Sequence, residues 1–259
     1  MELSQHIIFA FLLTFLAGLS TGIGSLIAYL IKKPKTIYLS FSLGFSAGVM
    51  IYVSFMELLP RAVMTIGQFT SVAVFFLGVL LIAIIDMIIP ESRNPHHYKE
   101  MPDILNLKVD KTLLRTGLFT ALAIAIHNFP EGLTTFGTTL SDERLGIIIA
   151  IAIAIHNIPE GISVSVPLFY ATGDRKKAFQ YSFLAGLAEP VGAVIGFVVL
   201  LPFLSSSLLS SLLAFVAGIM VYISIDELLP MAHRYGHSHT VIFGFIIGMA
   251  LMALSLFIL

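Results

Sequence analysis

Two copies of one polar hexapeptide interrupt long apolar runs in this chain. They are His127-Asn128-Phe129-Pro130-Glu131-Gly132 and, 29 residues later, His156-Asn157-Ile158-Pro159-Glu160-Gly161. Counted from Ala123 and Ala152, nine of ten positions are identical. Within each copy His and Glu are four residues apart, so on a helix they share a face, with Asn beside them. Imidazoles beside carboxylates suit a borderline first-row dication, Zn²⁺, Fe²⁺ or Mn²⁺, better than Na⁺ or Mg²⁺. Pro130 and Pro159 each remove a helix hydrogen bond and free the carbonyls of Ile126 and Ile155. Polar backbone of that kind is tolerated at membrane depth only where protein or a water-filled cavity receives it.

The elements that must position these residues are membrane spans. The chain has 259 residues, of which 58% are hydrophobic and 11% charged, against about 25% charged in a soluble domain. Its mean hydropathy is +0.99. The apolar runs predict an all-α membrane protein of eight transmembrane helices, near residues 7–31, 36–59, 69–89, 113–138, 145–170, 178–201, 208–229 and 240–259. The first run is not a cleaved signal: no Lys or Arg precedes it, and Lys32, Lys33 and Lys35 follow it.

With the N-terminus outside, 12 of the 14 basic residues lie on the cytoplasmic side, and only Arg61 and Arg144 on the other. That is a positive-inside pattern. The expectation is a multi-pass protein of the cytoplasmic membrane with both termini extracytoplasmic. Residues 1–259 read as one membrane domain, with 90–112 a mobile cytoplasmic loop. So few basic residues, in short loops, exclude nucleic-acid binding. Without cysteine there are neither disulfides nor thiolate ligands.

The predicted spans hold the acids Glu57, Asp86, Glu131, Glu160, Glu189, Asp226 and Glu227, and no Lys or Arg in their interiors. Glu131, Glu160 and Glu189 fall near mid-span, where leaving all three ionised and unpaired would cost on the order of 8–10 kcal/mol. Either they stay protonated or a cation arrives from outside. The competing structural reading is a buried polar network that merely kinks and locks two helices.

Residues 45–60 and 215–230 match at ten of sixteen positions, 170 residues apart, from Phe45/Phe215 through Glu57/Glu227 to Pro60/Pro230. Leu16–Leu19 recurs at Leu184–Leu187, and spans three and eight align at the same 170-residue offset. Spans one to three thus repeat as six to eight, and span four as five. Counting crossings makes every repeat pair antiparallel, a 3+2+3 inverted repeat of the kind that surrounds midplane sites in secondary transporters. Symmetry then places one acid at each mouth of a pathway, Glu57 at the outer and Asp226 and Glu227 at the inner; the alternative reading is interfacial carboxylates held by water. Asp86 reads as interfacial, and Met50 and Met220 as packing residues.

The doubled motif, Glu189 in Gly-Leu-Ala-Glu-Pro and the Glu-Leu-Leu-Pro ends of spans two and seven resemble the ZIP (Zrt/Irt-like) metal transporters over essentially the whole chain. The resemblance implies uptake of divalent metal, chiefly Zn²⁺, at a site between spans four and five. Carried over position by position, the metal residues are His127, Asn128 and Glu131, then His156, Asn157 and Glu160, with Glu189 from span six. Met50 matches a contributing position in span two. The family pattern also implies two adjacent metals bridged by the two glutamates. Some members carry Asp where Asn157 stands, and the His-rich loop of many members is reduced here to His96-His97.

On this reading the protein is not an enzyme and has no prosthetic group. Its cargo is Zn²⁺, with Fe²⁺, Mn²⁺, Co²⁺ and Cd²⁺ as further candidates. Its partners are the metal ion and the lipid bilayer, and a homodimer is entertained. Two alternatives stay open: an efflux carrier with the same chemistry, and an intramembrane zinc hydrolase. The hydrolase lacks His-Glu-x-x-His and hence the usual general base.

Overall fold

The computed structural model describes residues 2–30, 35–88, 111–200, 205–234 and 237–258, and their secondary structure is helical throughout. Eight rods follow one another. They are α1 (Glu2–Leu30), α2 (Thr36–Val53, extended below), α3 (Gln68–Ile88), α4 (Lys111–Ser141), α5 (Glu143–Thr172), α6 (Arg175–Gly186, extended below), α7 (Ser206–Ile223, extended below) and α8 (Ser238–Ile258). Seven are long and apolar enough to cross a membrane by length and composition. α4 is diluted by His127, Asn128, Glu131 and four buried threonines, Thr134, Thr135, Thr138 and Thr139. The loop expected at 90–112, with His96 and His97, lies outside the described residues up to 110; α4 begins at Lys111.

The largest departure from the predicted span ends is in α2. The expectation was a helix stopping at residue 59, before Pro60. Instead the chain loosens into a π-helical turn, Ser54–Leu58, and resumes as α-helix over Leu59–Ile66. A proline ring clashes with the carbonyl four residues back and supplies no N–H. Widening the turn ahead of it removes that clash, so the helix continues. α7 does the same ahead of Pro230, with a π turn at Ser224–Leu228 and a last segment, Leu229–Arg234. α6 instead breaks at Leu187, ahead of Pro190, and resumes as Ala188–Ile195 and a π turn, Gly196–Leu200.

Tight connections make neighbours antiparallel. Gly67, at φ +78°, turns α2 straight into α3, a conformation that costs a side chain but not glycine. Asp142 alone separates α4 from α5 and caps α5 by accepting the Leu145 amide at 3.1 Å. Asp174 caps α6 by accepting the Lys177 amide at 3.1 Å, and that bond holds its carboxyl below the ordinary value of 3.8. A lowered folded-state value means that the cap stabilises above the ordinary value and is lost as pH falls through the lowered one. Asp174→Asn caps without titrating. Its apparent melting temperature in detergent is therefore expected to drop less between about pH 5 and pH 3 than that of the wild type. Equal drops would remove Asp174 from the acid response.

The inverted repeat is visible in the closest backbone contacts. A Cβ on Gly48 of α2 would stand 2.1 Å from the Phe245 carbonyl oxygen of α8, and one on Gly218 of α7 2.0 Å from that of Phe75 in α3. Adding 170 to 48 and to 75 converts one contact into the other. α2 therefore pairs with α8 as α7 pairs with α3, and α1 lies on α5 as the second half of α6 lies on α4. Small residues permit such approach where lipid offers no hydrophobic drive. The outer rods α3 and α8 present Phe76, Leu77, Ile246 and Ile247 outward.

Candidate metal centre

The two motifs meet where α4 and α5 cross. The expected face-sharing of His and Glu within each helix resolves into crossed pairs between helices. His127 Nε2 lies 2.9 Å from Glu160 Oε1, and His156 Nε2 lies 3.3 Å from Glu131 Oε1. All four side chains are buried, none more than 2% exposed. Lys and Arg supply no partner to these acids, as expected, but each carboxylate has the opposing imidazole within hydrogen-bonding distance.

The asparagines act as brackets. Asn128 Nδ2 donates to the Ala185 carbonyl of α6 at 3.3 Å, and Asn157 Nδ2 donates to the Ala17 carbonyl of α1 at 3.0 Å. The 29-residue motif offset and a 168-residue offset between α1 and α6 turn one bond into the other. Asn157 also donates to Glu189, which is fully buried on the second half of α6. A Cβ on Gly132 would stand 2.0 Å from the Glu189 carbonyl oxygen, and one on Gly161 1.9 Å from that of Thr21. Thr21 is therefore the position equivalent to Glu189, and it is also fully buried. At this position the symmetry holds in the backbone and fails in the side chain.

These groups suit a cation. Asn128 Oδ1, Asn157 Oδ1, Glu160 Oε2 and Glu189 Oε2 are buried and accept no hydrogen bond from the described protein. Buried oxygens of this kind call for a water or an ion. Among the described residues no three His, Asp or Glu side chains converge in a ready-made cage. The candidate ligands stand in His–Glu pairs.

The other sequence-predicted residues fall in two groups. Glu57 shares a narrow cleft with Val53, Thr134, Ile153, Glu131 and His156. It sits on the π turn of α2 and is bonded by Arg61, one turn on. Glu227 and Asp226 sit on the equivalent turn of α7. The Tyr222 hydroxyl donates to Asp86 at 3.4 Å and also bonds Asp226. Met50 is buried in the apolar core with its equivalent, Met220. Its sulfur accepts from the Ser46 hydroxyl of its own helix at 3.9 Å.

The sequence pattern described as ZIP zinc transporter matches residues 90–256, well over half of the chain. The chain belongs to the ZIP family. It is 54% identical to the zinc transporter ZupT of Oceanobacillus iheyensis, over 98% of this chain and 99% of that protein. It is also 54% identical to that of Clostridium perfringens, over 97% and 96%, and 55% identical to that of Streptococcus mutans, over 98% of each. As a ZIP protein it is a multi-pass membrane transporter and not an enzyme, which sets aside the hydrolase alternative.

Three features of this ZIP chain escaped the reading of its sequence. Arg61 belongs to Glu57, which was hidden by ending span two at Pro60. Asp86 belongs with Asp226 through Tyr222, across an unrelated pair of helices. Thr21 mirrors Glu189, and the shared Leu-Ala-Gly-Leu of α1 and α6 was the signal that could have aligned them.

Proposed function

We propose that the protein takes up Zn²⁺ through a midplane site formed by His127, Asn128, Glu131, His156, Asn157 and Glu160, with Glu189 completing it and Met50 as an auxiliary contact. The observation that carries this reading is the crossed pairing of two His–Glu motifs, buried at the meeting of two antiparallel helices. The relatives named zinc transporters support the choice of metal. Glu57 receives the ion at the outer mouth, and Thr134 lines its way to Glu131 and His156. The arriving dication draws the carboxylates away from the imidazoles, and Glu131 and Glu160, each within reach of both helices, can bridge two ions. Asp226 and Glu227 receive the ion on the inner side. The weighting of basic residues toward one side supports termini outside, and the uptake direction rests on the resemblance to the ZIP family. Fe²⁺, Mn²⁺, Co²⁺ and Cd²⁺ share the ligand preferences that would let them compete.

Radiozinc uptake into vesicles holding the purified protein tests the reading. Accumulation should exceed that of empty vesicles and be inhibited by Cd²⁺. Because metal binding displaces protons from its ligands, the apparent affinity should weaken as pH falls, by up to about tenfold per unit for each proton displaced. No flux above empty vesicles refutes transport, and affinity that is independent of pH refutes histidine ligation.

A further inference from the structure

The two mouths are related by the 170-residue repeat, yet their charges differ. Glu57 and Glu227 are equivalent, each on a π turn. Four residues beyond Glu57, Arg61 bonds its carboxylate. Four residues beyond Glu227 stands Met231, only 5% exposed, in the apolar core. The residue before Glu57 is Met56, 57% exposed, and the residue before Glu227 is Asp226. One mouth thus offers an acid already holding a tethered cation. The other offers two acids, with an apolar side chain where the arginine would be.

The pair is placed to matter. Glu57 lines the cleft that reaches Glu131 and His156. Its side chain is 13% exposed and that of Arg61 is 29% exposed, so water and salt screen the contact less than a surface pair. A guanidinium is a permanent charge with donors matched to a carboxylate. An ion that would use the Glu57 carboxylate must displace the guanidinium. A monovalent ion offers the carboxylate no more charge than the guanidinium already bonded to it, whereas a dication at the same distance has twice the Coulomb attraction to set against its larger dehydration cost.

Resting on the transport reading above, we infer that Arg61 is an affinity- and specificity-setting residue of the Glu57 mouth. Its guanidinium occupies the carboxylate until a divalent cation displaces it. The arginine keeps abundant monovalent ions off the acid. It also returns to the carboxylate once the metal has moved inward.

The test compares radiozinc entry in vesicles for wild type, Arg61→Met (which copies Met231), Arg61→Lys, Glu57→Gln and Glu57→Gln/Arg61→Met. Arg61→Met is expected to lower KM by about twofold to fivefold, the upper scale of an ion pair open to water, with a smaller change in kcat. It should also make entry sensitive to raised NaCl. Arg61→Lys should stay near wild type, which separates loss of charge from loss of fold. In the Glu57→Gln background the Arg61→Met change should have no further effect. An unchanged or raised KM in Arg61→Met, or the same shift with and without Glu57, overturns the inference. If wild type shows no flux, the transport reading falls by itself. Equilibrium Zn²⁺ binding to the purified proteins then decides: tighter binding in Arg61→Met upholds the competition, and binding no tighter overturns it.

Discussion

Replacing Glu131 and Glu160 together with alanine is expected to reduce radiozinc uptake to the level of empty vesicles while the protein stays folded. The two carboxylates are the partners of His156 and His127 at 3.3 and 2.9 Å, so the double change removes half of each crossed pair. The imidazoles left behind can rest neutral, and no buried charge is stranded. Folding should therefore survive better than it would if a buried salt bridge lost one charged member. Transport should not survive. Even a group that only orients a metal ligand is worth about 10–100-fold in affinity or activity, and these two groups would contact the ion and bridge it. The expected loss exceeds about 100-fold, read against a size-exclusion profile that matches wild type. Near-normal uptake by a well-folded double variant would take the site away from these helices.

Gly161→Ala is expected to disable the protein by another route. The added methyl would stand 1.9 Å from the Thr21 carbonyl oxygen and 2.9 Å from the Ser25 nitrogen. Both are backbone atoms of α1, so no side chain can swing aside. Gly24 of α1 makes an equally close approach, to the Ile158 carbonyl oxygen of α5, so the two helices are pinned in both directions. Relief requires that α1 and α5 move apart, which stretches the Asn157 bond to Ala17 and disturbs Glu189 with it. Overpacking of this kind typically costs about 1–3 kcal/mol. The expected readout is a fall in the fraction surviving heat treatment, and uptake reduced by about tenfold or more. Leu184→Ala, at a site 60% exposed, serves as the control and should do neither. A stable, active Gly161→Ala protein would show that the α1–α5 contact is not tight.

Much of this architecture was legible because it repeats. The doubled hexapeptide pointed to the crossing of α4 and α5, the 170-residue offset matched α2 with α7 and α3 with α8 as repeats, and counting crossings made each match antiparallel. What stayed illegible depended on how rods cross. Whether His127 faces Glu131 or Glu160 follows from the angle between α4 and α5, which periodicity within one helix does not contain. The partnership of Glu57 with Arg61 was obscured by a proline that ordinarily ends a helix, and which here is absorbed by a π turn. Asp86 reads as merely interfacial in the sequence because its partners Tyr222 and Asp226 come from another repeat, with no spacing in sequence to betray them.

The substitution of Thr21 for a second Glu189 has a consequence for how the two halves share work. A carrier built on a perfect twofold would have two interchangeable resting forms of equal free energy, and its empty form would divide evenly between the two sides of the membrane. Here the carboxylate rides on α6 alone, and the matching place on α1 holds a hydroxyl. Exchanging the roles of the halves carries a buried acid from one environment to another, so the two forms differ in energy before any ion arrives. On the proposed transport reading, a motion that exchanged the roles of the halves would leave the ion-free protein with an intrinsic preference for one side, set in part by this unmatched side chain, and the ion's own binding energy would work with it or against it.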